Sequence, residues 1–213
     1  MRWFLDMCIL IYYSSQDGGL FYKKTVKFLD EKKQGSFLVC FYIIKRDMPK
    51  YLRRQNIIIN EVLKKIKNGD YELGKSEEGS LLYERDRQKA GKLFLQSETV
   101  KDKLNFIVSL RDSQKGQEIA IKKFIKTKAE KVIQLSEIDM ELKSQLLTFS
   151  DNNASDANVL ASGIQEHNKK DVILVTADKQ HWTKENLEWA VPEASPLHKK
   201  YSKIPEIRYI QDF

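Results

Sequence analysis

Three aspartates far apart in the sequence have the surroundings of a catalytic site: Asp6, Asp156 and Asp178. Asp6 interrupts an apolar N-terminal run, Asp156 is the second residue of the stretch SDANVLASGI (155–164), and Asp178 ends the stretch VILVTAD (172–178). In open α/β sheets, ligands bind beyond the carboxyl ends of the strands. Carboxylates gathered there repel one another and cannot all ionise cheaply. A hard cation such as Mg²⁺ or Mn²⁺ resolves the conflict, because such ions prefer oxygen ligands. Once held, the ion can orient a phosphodiester, activate a water and stabilise the leaving oxygen. Each acid also has an ordinary alternative. Asp156 suits any helix start, Asp178 suits any turn, and Asp6 could lie in solvent just past a strand. An unpaired acid inside an apolar strand is costly, and this makes Asp6 the most telling of the three. Thr176 is placed to fix the Asp178 loop by hydrogen bonding, and Ser155 to cap the helix that carries Asp156.

The elements that would position these acids follow from hydrophobic patterning. Residues 3–13 are almost continuously apolar and rich in β-formers, which predicts a strand buried on both faces. Residues 14–19 read as a turn, and residues 20–33 as a helix ended near Gly35. Residues 36–44 read as a second buried strand, so the chain opens as a βαβ unit. A helix is expected over 51–67, with Tyr51, Gln55, Ile58 or Ile59, Val62 and Ile66 on one face, stopped by Asn68 and Gly69. Further helices are expected over 82–95, 100–110, 118–135 and 138–147, with Ser97 and Ser136 as N-caps. Residues 150–155 read as a polar capping segment and 157–167 as a helix kept close to a sheet by Ala157 and Ala161. Residues 171–176 and 204–210 read as strands. The predicted fold is α/β: a three-layer α/β/α arrangement around a mostly parallel sheet. It is read as one domain over residues 1–213, with an extended helical insertion over about 68–150. Residues 74–79 are the best candidate for a mobile loop. Their Gly-Lys-Ser lacks the glycine spacing and preceding strand of a phosphate loop.

Thirty-seven basic residues against 30 acidic ones give a net charge of +7. This balance favours a polyanionic partner, with a lysine-rich solvated surface as the alternative. Cys8 and Cys40 both lie in apolar runs and read as free core thiols, without zinc-ligand spacing. No uncharged run reaches about 18 residues and no signal-cleavage pattern follows the N-terminal run, so a cytoplasmic protein without a membrane span is expected.

The run FLDMCILIY (4–12), the later SDANVLA (155–161) and VTAD (175–178) together resemble the PIN domain family, in the family's order. The resemblance covers the first 50 or so and the last 60 or so residues. It implies a parallel-sheet α/β/α sandwich and a Mg²⁺- or Mn²⁺-dependent ribonuclease, with Asp6, Asp156 and Asp178 as metal ligands. Many family members are toxins of toxin–antitoxin pairs and dimers are common, so an antitoxin or a homodimer is an implied partner. The family adds an acid shortly after the second strand. Asp47 stands there and is preferred to its competitor Glu61. Where the family commonly has a small hydroxyl residue and then an asparagine after the first aspartate, this chain has Met7 and Cys8. Weakened hydrogen-bond support around Asp6 is therefore expected. Lys45, Arg46, Lys50, Arg53 and Arg54 could line a groove for an RNA backbone, with Tyr51 near a base, or simply form an exposed basic helix start. Trp182 reads as packed, and His181 as a loop histidine that could touch the scissile phosphate. A catalytically inactive PIN-like scaffold that binds RNA or protein is the alternative function. A receiver domain fits less well, because its compact fold has no place for the helical middle.

Overall fold

The computed structural model describes residues 1–15, 18–33, 35–150 and 153–213, with Phe149 described by its backbone alone. Gln16 and Asp17 of the expected turn, and Asp151 and Asn152 of the expected capping segment, lie outside the described residues. In chain order the elements are β1 (Arg2–Leu5), α1 (Met7–Ser15), α2 (Leu20–Glu31), β2 (Ser36–Cys40), a π-helical segment (Ile43–Asp47) and α3 (Met48–Lys67). Then come α4 (Glu84–Glu98), α5 (Lys103–Lys128), β3 (Ala129–Ile133), α6 (Met140–Phe149) and α7 (Ala154–Lys169). The chain continues with β4 (Val172–Thr176), α8 (Lys184–Ala190), α9 (Pro196–Lys200) and β5 (Glu206–Tyr209). Two compact units result. Met1–Met48 and Ala120–Phe213 form the first, and Pro49–Ile119 the second.

The first unit is a three-layer α/β/α fold around an all-parallel sheet with strand order β3-β2-β1-β4-β5. Parallel strands covered on both faces must be apolar throughout. Accordingly every residue of β1 and β4 is buried. Trp3, Phe4, Phe28, Leu38 and Leu174 are among the side chains that fill the core. Helix α7 lies close against β4 because Ala157 and Ala161 are small and fully buried. At Gly163 even a methyl group would not fit, since a Cβ there would meet Leu174 at 2.5 Å. Around the buried Glu166, Arg2 reaches the carboxylate at 2.8 Å, and Lys131 and Lys169 each at 2.9 Å.

Three expectations fail for physical reasons. Residues 3–13 are not one strand. The strand stops at Leu5 and α1 begins at Met7, with the Asp6 Oδ1 atom accepting the Met7 N–H at 2.5 Å as the helix starts. Met7, Ile9, Leu10 and Ser14 of this helix are all buried, so it shows no polar stripe and reads like a strand. Residues 118–135 are not one helix. A single α5 fills the expected gap from 111 to 117 and ends at Lys128, and β3 follows as an edge strand. Its Ala129, Glu130 and Lys131 favour helices on their own, but charged residues are common on sheet edges. The separate helical unit therefore ends at Ile119, well before residue 150, and β3 and α6 belong to the first unit. Nor are the expected caps where they were placed. Asp102 accepts the Asn105 N–H at the start of α5, and Asp139 accepts the Glu141 and Leu142 N–H groups at the start of α6. Ser97 instead donates to the Phe94 carbonyl within α4.

The second unit packs Ile57, Ile58, Ile59, Val62, Leu82, Ala90 and Ile107 into its own core. Arg54 holds the buried Asp86 at 2.6 Å and lies 4.9 Å from the centre of the Tyr83 ring. The 74–79 loop, expected to be mobile, is pinned by Glu61. That fully buried carboxylate accepts the Gly74 N–H at 2.6 Å, the Tyr71 hydroxyl at 2.8 Å and the Ser76 hydroxyl at 2.5 Å.

Candidate metal centre

The sheet order changes direction at β1: the chain builds β2 and β3 on one side of it and β4 and β5 on the other. The crevice beyond the strand ends at such a reversal is where doubly wound folds bind ligands. Register brings the acids to it. Leu5 pairs with Val39 on one side and Val175 on the other, so Asp6 emerges level with Thr176. The Asp6 N–H still donates to the Val175 carbonyl at 3.1 Å, fixing the backbone at the point where the acid leaves the sheet.

Asp6 is closely supported. The Thr176 hydroxyl and the Cys8 thiol both donate to its Oδ2 atom, each at 2.8 Å. The Cys8 sulfur in turn accepts the Ala177 N–H at 3.1 Å. Burial pushes the Asp6 carboxyl up to about 6. The Cys8 and Thr176 hydrogen bonds pull it down, and the nearby Asp156 charge pushes it up. The expected weakness at positions 7 and 8 is thus corrected: Met7 contributes its backbone N–H and Cys8 its thiol. Reading Cys8 as plain core missed this, whereas Cys40 is fully buried as expected. A cysteine inside an apolar run gives no sequence signal of such a contact.

Asp156 lies in the first turn of α7, and Asp178 two residues beyond β4. Together with His181 they offer three ligand atoms that all lie within 4.8 Å of one another. Trp182 is fully buried, as expected, and its Nε1–H also donates to Asp156 Oδ1 at 3.2 Å. Burial raises the Asp156 carboxyl, the Trp182 bond opposes this, and the Asp178 charge adds to it. Asp178 is also partly desolvated, but bonds from the His181 backbone and ring and from the Gln180 backbone outweigh that and lower its pKa. Its Oδ1 accepts the Gln180 and His181 N–H groups at 2.8 and 3.0 Å, and its Oδ2 lies 3.0 Å from His181 Nδ1. Thr176 fixes this loop as anticipated, accepting the Asp178 N–H at 3.0 Å.

Ser155 does not cap α7. Asn153 does: its Oδ1 accepts the Ser155 N–H at 3.1 Å and its amide donates to Asp156 Oδ2 at 2.5 Å. An asparagine three residues before an acid at a helix start was the readable signal. The Ser155 hydroxyl donates to Asp47 Oδ2 at 2.5 Å, which ties the end of the π-helical segment to the first turn of α7, beside Asp156. Glu61, the competitor, belongs to the second unit, where its oxygens hold the 74–79 loop. Of the basic residues, Lys45 and Arg46 are exposed immediately before Asp47, in the first unit. Lys50 and Arg53 are exposed on α3 and Arg54 is engaged with Asp86, all in the second unit. Tyr51 donates its hydroxyl to Gln117 at 3.2 Å.

Asp156 and Asp178 beside the His181 imidazole, converging within coordination reach, form a donor set that fits a divalent cation, and Asp6, outside that group, feels the Asp156 charge. Comparison with protein-family models, with curated proteins and with solved structures found no match. Among the described residues, no helix is long and apolar enough to cross a membrane.

Proposed function

We propose that the protein is a divalent-metal-dependent endoribonuclease of PIN-like type, acting with Mg²⁺ or Mn²⁺. The observation that carries this reading is the convergence of Asp156, Asp178 and His181 at the switch point of the sheet, with Asp6 in electrostatic contact. Asp6, Asp156 and Asp178 would hold the ion, with Asp47 beside them through Ser155. The ion supplies a water of lowered pKa and positive charge at the phosphodiester. The chain's own groups do the rest. Thr176 and Cys8 aim Asp6, Trp182 and Asn153 fix Asp156, and the Gln180 and His181 N–H groups fix Asp178. Lys45 and Arg46 offer phosphate contacts next to Asp47.

The test is cleavage of RNA by the purified protein with added Mn²⁺ or Mg²⁺. Activity that disappears in Asp6→Asn, with thermal unfolding still cooperative, is the expected result. Full activity in excess chelator would remove the reading.

A further inference from the structure

The first two turns of α2 approach the metal centre by two routes. Along α1, Tyr12 stands one helical turn after Cys8, whose thiol bonds Asp6, and so lies on the same face. On α2, Lys24 donates to the Gln211 carbonyl, and the Gln211 side chain donates to the Ala177 carbonyl at 3.0 Å, next to Asp178. At this corner the Tyr12 and Phe21 rings stack face to face, with centroids 4.7 Å apart and planes 13° from parallel. The other aromatic pairs among the described residues meet at 52° or more, as edge-on or tilted contacts. Phe21 is 36% exposed and its neighbour Leu20 is 66% exposed, so the stack ends at the surface. Residues 20–27 carry Lys23, Lys24 and Lys27 and no acid.

A flat aromatic face beside lysines has the chemistry of a base-stacking platform. Every nucleobase offers a π-face, and its backbone phosphates seek the cations. Bases within a duplex are already stacked and are not offered in this way, which selects single strands.

We propose that the Tyr12–Phe21 stack binds a nucleobase of single-stranded RNA next to the metal centre. The proposal rests on the nuclease reading and names its substrate class. Phe21 receives the base on its exposed face, and Tyr12 backs it from α1. The exposed Lys23 attracts a flanking phosphate, while Lys27 is paired with Glu31 at 3.8 Å.

Fluorescence anisotropy with a labelled single-stranded RNA in chelator, where cleavage is blocked, reads the affinity directly. Phe21→Ala should weaken binding about 10-fold or more, and Phe21→Trp should retain it. A duplex of the same sequence, and a strand with abasic residues, should bind both proteins alike. Equal affinity of wild type and Phe21→Ala for the single strand overturns the platform, while a wild type that still cleaves RNA leaves the nuclease reading standing. A wild type that neither binds nor cleaves RNA overturns both.

Discussion

The Cys8 thiol donates to the Asp6 carboxylate across 2.8 Å, on the same oxygen that the Thr176 hydroxyl reaches. Two donors on Oδ2 orient the carboxylate, and the Met7 N–H holds Oδ1. Outer groups of this kind are known to tune a metal site by about 10- to 100-fold in affinity or activity. Cys8→Ala should therefore weaken Mn²⁺ affinity by about that range, and Cys8→Ser, which keeps a donor, should recover most of it. Calorimetric titration of both variants decides the matter. Wild-type affinity in Cys8→Ala would show that the thiol is only a packing group.

The Asp6 carboxyl, raised by burial to about 6, couples the site to pH. Its folded pKa lies above the unfolded value of 3.8, so the folded chain holds an extra proton between those two values. Without metal, this group makes stability fall as pH rises from 3.8 to about 6, after which the loss is complete. Bound metal must displace the same proton, so affinity should drop as pH falls below about 6. Melting curves with chelator and with Mn²⁺ at several pH values test both slopes. An Mn²⁺ stabilisation equal at pH 5 and pH 7.5 would contradict them.

Glu166 behaves in the opposite way. Burial alone would raise its carboxyl, but the bonds from Lys169, Lys131 and Arg2 outweigh burial and hold it at about 2. Its folded pKa is below the unfolded value, so its stabilisation is complete above about 4.5 and disappears as pH falls toward about 2. Across that window the loss is on the order of 3 kcal/mol. Glu166→Gln should flatten this part of the acid unfolding curve. An unchanged acid limb in the variant would show that the cluster does not drive it.

Strands β2 and β4 could be read from the sequence because at least four apolar or β-branched residues stand together in each, and β5 because Ile207 and Tyr209 alternate with charged residues. The helix α1 could not, because a helix buried on several sides loses the polar stripe that distinguishes it from a strand. The edge strand β3 was missed because Glu130 and Lys131 suit an exposed edge as well as a helix. At the site, Asp6, Asp156 and Asp178 were visible as acids at element boundaries. Cys8 was not, since its place comes from a hydrogen bond made only after folding. The Asn153 cap had a readable spacing but was missed, and His181 was read for a phosphate contact rather than as a neighbour of Asp156 and Asp178.

Glu61 offers a control in the second unit. Its carboxylate satisfies Tyr71, Gly74 and Ser76 from a fully buried position. Glu61→Ala would leave those donors unpaired and should cost about 2–4 kcal/mol of stability. Chemical denaturation measures the loss, and Mn²⁺ affinity of the folded variant should be unchanged. A variant that folds as stably as wild type but loses metal would return Glu61 to the ligand set.

The claim on which the rest depends is that carboxylates just after β1, in the first turn of α7 and just beyond β4 together hold one divalent cation. Calorimetric titration of Mn²⁺ into the protein at pH 7.5, repeated with Asp156→Asn, addresses it most directly. Saturable binding by the wild type that is lost in the folded variant is the predicted result. No binding by the wild type at millimolar Mn²⁺, or the same binding in Asp156→Asn, would contradict it.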